Sequence, residues 1–300
     1  MINVRDPKLT HEWKGIAFIL MSAFGFSTLG IFGKLIYAEG LNITSTLALR
    51  FLGASFILWI WLWLRQEWRV SKRDAFSAIS LGMLGYAGQA AFLFSALKYT
   101  SAGIATLLLY SYPAIVTLLA WLIEGERPTL NRSIALASAL VGCLLIADLT
   151  GPDRSLTGIL LGLASGLWYS FYLLLSARLV NTLNPIVSSA YISLGAAVSF
   201  VGAATAQSTF ILPSNLTAVM ITMALVIVST IVPVLSLLAG IQILGISQAS
   251  ILSTVEPLIT VLLGMVLLKE KFSTIQAVGG FLILNSVIIL RFQRSEYKHQ

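Results

Sequence analysis

The chain has 300 residues, 57% hydrophobic and 10% charged, with a formal net charge of +7 and a mean hydropathy of +0.90. A water-soluble domain carries about 25% charged residues, so this composition excludes a soluble globule of this size. The positive charge is spread over short flanks between apolar runs, which argues against a nucleic-acid surface and for the bases that orient membrane helices.

The apolar runs are about 20 residues long, enough to cross a ~30 Å hydrocarbon core as helices. Strand-type alternation is absent, so a β-barrel is not expected. The run from Trp13 to Tyr37 is too long for a signal-peptide core and has no convincing small-x-small cleavage site, so it reads as a retained first helix. Ten helices are predicted, over residues 14–37, 43–64, 75–97, 102–123, 132–149, 156–179, 186–206, 216–239, 246–268 and 273–292. The breaks between them have chemical causes: the charged turn from Arg65 to Asp74, Glu124-Gly-Glu-Arg-Pro128, Thr150-Gly-Pro-Asp-Arg154, Asn184-Pro185 and Pro213-Ser-Asn215.

The second half repeats the first at an offset of 144 residues. Tyr112-Pro113 falls on Glu256-Pro257, Glu126-Arg127 on Glu270-Lys271, and Thr129 on Ser273; nearer the front, Ser22 and Ser27 fall on Ser165 and Ser170 at an offset of 143. Internal duplication in a polytopic membrane chain marks a transporter built from two repeats, with its substrate between them near the bilayer midplane. With alternate loops assigned to opposite sides, 13 Lys and Arg fall on one side and 5 on the other, with Arg50 left inside a span. The positive-inside rule then puts both termini in the cytoplasm. Five spans per repeat is an odd number, so the second repeat enters from the opposite face. The expected fold class is therefore an all-α membrane protein of ten transmembrane helices in two inverted five-helix repeats, residues 1–149 and 150–300. Trp59, Trp61, Trp63, Trp68 and Trp121 fall near inner ends of spans, as an interfacial aromatic belt would.

The segment Ala96-Leu-Lys-Tyr-Thr-Ser-Ala-Gly103, followed by Pro113 and Glu124-Gly-Glu126, resembles the signature of EamA-type members of the drug/metabolite transporter superfamily. Ser247-Gln-Ala249 through Glu256-Pro257 to Lys269-Glu270 resembles a second copy, and the likeness spans nearly the whole chain. The resemblance implies a ten-helix inverted-repeat fold in the bacterial inner membrane, commonly exporting amino acids or related metabolites. The first copy departs from the pattern, with Tyr112 where the second has Glu256.

Glu256 is the sharpest candidate residue. It lies about ten residues into its predicted span, or roughly 15 Å deep, where a carboxyl has to be protonated, paired or set in a wet cavity. It could couple proton movement to transport, or it could be a structural carboxyl bonded to a neighbouring helix. Arg50 is the other deep charge, about 10 Å from the outer end of its span. It could pair with Glu256, contact substrate, or snorkel to the headgroups. Lys34, about a turn from the surface, is expected to snorkel. Pro113, Pro233 and Pro257 are candidate helix kinks. Ser253 shares a polar stripe with Glu256, and Gln89 is a candidate for the cavity. Trp168, Tyr169 and Tyr172, with Tyr110, Tyr112 and Phe26, could form an apolar-plus-hydroxyl pocket for a zwitterion or a ring, or could be core packing. Gly158, Gly162 and Gly166 read as a close-approach face.

One cysteine, Cys143, lies in an apolar run, and His11 and His299 lie in the tails, so no metal site, cofactor or catalytic group is expected. The chain has no G-x-x-x-x-G-K-[ST] loop for ATP. The expected function is secondary transport of a small organic molecule across the bilayer, most readily export of an amino acid or related zwitterion by alternating access, with or without protons. A sugar-phosphate or nucleotide-sugar carrier would need more cavity bases. A passive channel would need a ring of like charges or carbonyls, and an intramembrane enzyme would need groups this chain lacks. Oligomeric state is open.

Overall fold

The computed structural model describes residues 7–96, 99, 108–125, 128–146, 155–268 and 274–296. Regular structure in these residues is helical throughout. In the first half, α1 (Pro7–Ser27) and α2 (Leu29–Ala38) form one rod interrupted at Thr28. The next helix, α3 (Ile43–Arg65), is capped by Asn42, whose side chain accepts from the Ser45 amide at 2.8 Å. Then α4 (Lys72–Ser80), a π-helical segment (Leu81–Tyr86) and α5 (Ala87–Ala96) run on as a third rod, followed by α6 (Tyr112–Glu124) and α7 (Leu130–Ile146). The second half contains α8 (Leu156–Val180) and α9 (Pro185–Ala206). Its next rod joins α10 (Leu216–Val226), a second π-helical segment (Ile227–Ile231) and α11 (Val232–Leu244). It closes with α12 (Ile246–Leu252), α13 (Val255–Leu268) and α14 (Thr274–Glu296).

Among the described residues, six helical rods are long and apolar enough to span a bilayer: Glu12–Ala38, Ile43–Arg65, Lys72–Leu93, Leu156–Val180, Pro185–Ala206 and Leu216–Leu244. Tyr112–Ile123, Leu130–Leu145 and Ala277–Ile289 are shorter apolar helices. The sequence signatures at Lys98, Glu126-Arg127, Thr150 to Arg154 and Lys269 to Lys271 lie outside the described residues, as does the Lys34 side chain.

The halves pack by exchange. The 144-residue offset carries α1 towards α8 and α5 onto α11, and in space α1 lies along α11 while α5 lies along α8. The remaining pairs join a helix to its own counterpart: α3 lies along α9, and α7 along α14. A two-fold relation between the halves produces this pattern.

Several spans expected to be continuous are interrupted. The two π segments are repeat-related, since the offset carries 81–86 onto 225–230, overlapping 227–231. A π turn hides from an apolar pattern because it inserts a residue without changing the apolar character of the run. At the first π segment the crossing is glycine-made. A Cβ on Gly82 would collide with the Ile192 carbonyl of α9, and one on Gly195 with the Ile79 carbonyl, so backbone meets backbone here. Gly82→Ala and Gly195→Ala should each destabilise the folded protein by about 2 kcal/mol through overpacking, seen as lower thermal midpoints in detergent. Gly202→Ala, where a Cβ meets nothing within 4 Å, should leave the midpoint unchanged or slightly raised.

Candidate substrate and coupling site

Glu256 stands at a helix start. The ninth predicted span is broken: α12 ends at Leu252, Ser253 and Thr254 form a turn, and Glu256 occupies the first turn of α13. The cause is local chemistry. Ser253 Oγ donates to the Ala249 carbonyl at 2.9 Å and Thr254 Oγ1 to the Ile251 carbonyl at 2.6 Å, each beside the amide of the same residue, so the hydroxyls compete with backbone amides for carbonyls of the preceding turn. Pro257 supplies no amide, which is harmless in a first turn where amides lack intrahelical partners. This corrects the expectation of a carboxyl deep inside a continuous helix. Glu256 instead sits in the first turn of α13, beside backbone amides that lack intrahelical partners.

The first repeat has the same break. Tyr110 and Ser111 form a turn, Ser111 Oγ donates to the Leu108 carbonyl at 2.7 Å, and α6 begins at Tyr112 with Pro113 in its first turn. The glycine face of α8 backs onto this turn: a Cβ on Gly162 would meet Leu108, and one on Gly166 the Leu108 and Leu109 carbonyls and Ser111 Oγ. Pro233 likewise sits second in α11, directly after the π segment. All three candidate kink prolines therefore begin a helix segment after an interruption.

Around Glu256 the breaks gather tyrosines. The Tyr110 hydroxyl neighbours the Glu256 carboxyl, and that of Tyr112 neighbours Ser253. Tyr112, Tyr169, Cys143 and Arg50 are close enough to feel its charge. Ring contacts run on from there: Tyr110 to Tyr112 at 6.0 Å between centroids, Tyr112 to Tyr169 at 4.9 Å, Tyr169 to Tyr172 at 5.7 Å, Tyr172 to Tyr86 at 5.5 Å and Tyr86 to Phe51 at 5.0 Å. This path leads from the carboxyl to Arg50, whose guanidinium carbon is 4.9 Å from the Phe51 ring centre.

Arg50 is 3% exposed, so it does not snorkel. Its Nε donates to Thr230 Oγ1 at 2.5 Å; Nη2 donates to the Ser229 carbonyl at 2.9 Å and to the Tyr86 hydroxyl at 3.3 Å. Tyr86 closes the first π segment, and Ser229 and Thr230 belong to the second, so one guanidinium ties the two irregular segments together. Among the described residues it forms no direct ion pair with Glu256, and none of them accepts from Nη1.

The other candidates divide. Gln89 exchanges hydrogen bonds with Ser165: its Nε2 donates to Ser165 Oγ at 3.3 Å, which donates to the Gln89 carbonyl at 3.1 Å. The amide thus joins α5 to α8. Trp168 leaves the proposed aromatic pocket. It is 40% exposed, packs on Phe92 at 5.6 Å and donates its indole N–H to the Leu84 carbonyl at 2.8 Å. That carbonyl, within the first π segment, supplies the partner a mid-membrane indole requires. Phe26 is half-buried against the main core and, among the described residues, joins none of the tyrosine ring contacts. Tyr86, Phe51 and Thr230 stand outside the residues that the sequence singles out. The signal was present, because the 144-residue offset carries Tyr86 onto Thr230.

Residues 13–147 and 156–292 each match the EamA-like transporter family. The chain belongs to that family. Similar relatives include an uncharacterized transporter of Archaeoglobus fulgidus, 29% identical over 276 residues that cover 92% of this chain and 95% of the relative. The uncharacterized inner membrane transporter YicL of Salmonella typhimurium is 27% identical over 288 residues, covering 92% and 95% of the two chains. A solved crystal structure shares the fold, with a TM-score of 0.78 at 19% identity over 92% of this chain and 96% of that one. The chain is thus a membrane transport protein and not an enzyme.

Arg50→Met removes the donor shared by three buried acceptors. Hydrogen bonds to a charged group contribute about 1.5–3 kcal/mol, so we expect a loss of about 3 kcal/mol in detergent unfolding. Tyr86→Phe breaks only the longest of the three and should cost about 1 kcal/mol. Equal losses in the two variants would contradict this geometry.

Proposed function

We propose that this protein is a secondary transporter of the bacterial inner membrane that exports a small zwitterion, an amino acid or a related metabolite, by alternating access. Ten spans in two inverted repeats, with both termini in the cytoplasm, are part of the reading, as is proton coupling through Glu256. The observation that carries it is the pair of unlike charges at the two ends of one tyrosine path. Glu256, on the start of a half-helix, matches an ammonium group. Arg50, with Nη1 unengaged by the described residues, matches a carboxylate. The rings between them, Tyr110, Tyr112, Tyr169 and Tyr172, offer apolar faces and hydroxyls to the rest of the molecule. Half-helix termini near the midplane are a recurrent way for transporters to hold charged substrates and ions.

Purified protein screened against amino acids should show a raised thermal midpoint with its substrate, because a ligand that binds the folded state stabilises it. Uptake of that substrate into inside-out vesicles should fall at least tenfold in Glu256→Gln. Uptake equal to wild type at every pH from 5.5 to 8.5 would remove Glu256 from the mechanism.

A further inference from the structure

Two seams that the repeat offset makes equivalent are built differently. On one, α2 and α10 share a small core of their own, in which Phe32 and Ile36 join Ala218, Ile221 and Leu225. This seam is tied at both ends, Thr28 Oγ1 to Ser229 Oγ at 2.7 Å and Asn215 Nδ2 to Glu39 Oε2 at 2.7 Å. The offsets of 143 and 144 residues carry it onto α8 and the rod formed by α4 and the first π segment. There a cavity of about 1120 Å³ stands in its place. Phe171 and Gly85 replace Thr28 and Ser229, Thr182 and Ser71 replace Glu39 and Asn215, and all four line the cavity. Neither hydroxyl reaches across it: Ser71 Oγ donates to the Asp74 carboxylate at 2.7 Å and Thr182 Oγ1 to the Leu179 carbonyl at 3.0 Å.

Two differences in sequence account for the opening. The first is at the deep end. A Cβ on Gly25 would lie 2.7 Å from the Val228 carbonyl oxygen, so α1 meets the second π segment backbone to backbone. The equivalent pair is Trp168 and Leu84, where the indole N–H reaches the carbonyl at 2.8 Å and a ring stands between the backbones. The second lies along α4. Asp74 and Ser77 replace Ala218 and Ile221, and with Ser71 and Ser80 they line one wall of the cavity with polar groups. Polar groups at membrane depth require a wet surface, so this wall cannot form the dry core that α10 makes. Thirteen residues of the rod separate Ser71 from Leu84. At 1.5 Å per residue that is about 20 Å, past the middle of a ~30 Å hydrocarbon core. Tyr172 lines the cavity and stacks on Tyr169 of the tyrosine path at 5.7 Å.

We infer that this cavity is the hydrated entrance by which a polar substrate reaches the tyrosine path, with Trp168 as the wedge that holds it open. The inference rests on the transport reading above. The entrance faces the side on which α4 begins, the cytoplasm in the proposed topology, and the α2–α10 seam is its shut counterpart on the opposite side.

Thiol labelling in membrane vesicles tests this, with one cysteine added at a time and a charged, membrane-impermeant methanethiosulfonate as the probe. Protein without an added cysteine gives the background from the buried Cys143. Each position is probed from its own side, Ser77→Cys in inside-out vesicles and its repeat counterpart Ile221→Cys in right-side-out ones. Ser77→Cys should react at least tenfold faster. Trp168→Gly should slow that reaction several-fold by letting the seam close, whereas Trp168→Phe, which keeps a ring, should not. Labelling of Ser77→Cys should cut amino-acid uptake at least tenfold relative to the same variant unlabelled. Equal rates at Ser77→Cys and Ile221→Cys would overturn the inference, as would an unchanged rate in folded Trp168→Gly or uptake unaffected by complete labelling. Absence of uptake for every amino acid, with Ser77→Cys still the faster, would instead overturn the zwitterion reading and support an entrance for another polar substrate.

Discussion

Inside a bilayer there is no water to satisfy a backbone group that leaves its helix. That constraint governs the centre of this protein, because its spans are interrupted where its polar side chains gather. Each interruption is resolved by a local donor. Hydroxyls of Ser111, Ser253 and Thr254 fold back onto carbonyls of the preceding turn. Arg50 takes the Ser229 carbonyl in the second π segment, and the Trp168 indole takes that of Leu84 in the first. Proline then begins the next segment at the one place in a helix where its missing amide costs least.

Interrupted helices give the centre its chemistry. The break before Val255 turns Glu256 from a side chain on a helix flank into one at a helix start. The matching break before Tyr112 places Tyr110 and Tyr112 beside it. Duplication explains why two breaks meet there, and divergence explains why they differ. Where one copy has Glu256 the other has Tyr112, and the 143-residue offset carries Arg50 onto Ser193. One repeat thus contributes the deep cation and the other the deep carboxyl.

The family, the helical class and the presence of two charges, Glu256 and Arg50, inside apolar runs were legible in the sequence, because a hydropathy pattern, a repeat offset and a charge inside an apolar run are properties of the chain alone. The role of Trp168 was not. Depth in a span said that its indole needed a partner, but a depth carries no azimuth, and the ring turns out towards Phe92 and the exposed surface. Gln89 shows the same limit: its polarity was visible, while its engagement by Ser165 on another helix was not. The π segments escaped because one inserted residue leaves the composition of a span unaltered.

By itself, then, the sequence determined that this chain is a duplicated, helical membrane transporter with two deep charges and prolines in both repeats. Only the tertiary structure decided what those charges do. Arg50 meets partners 36, 179 and 180 positions away along the chain, and no local pattern encodes such meetings. They follow from α3, the first π segment and the second converging on one point between the repeats. There a guanidinium in a water-poor interior has to find acceptors wherever the packing supplies them.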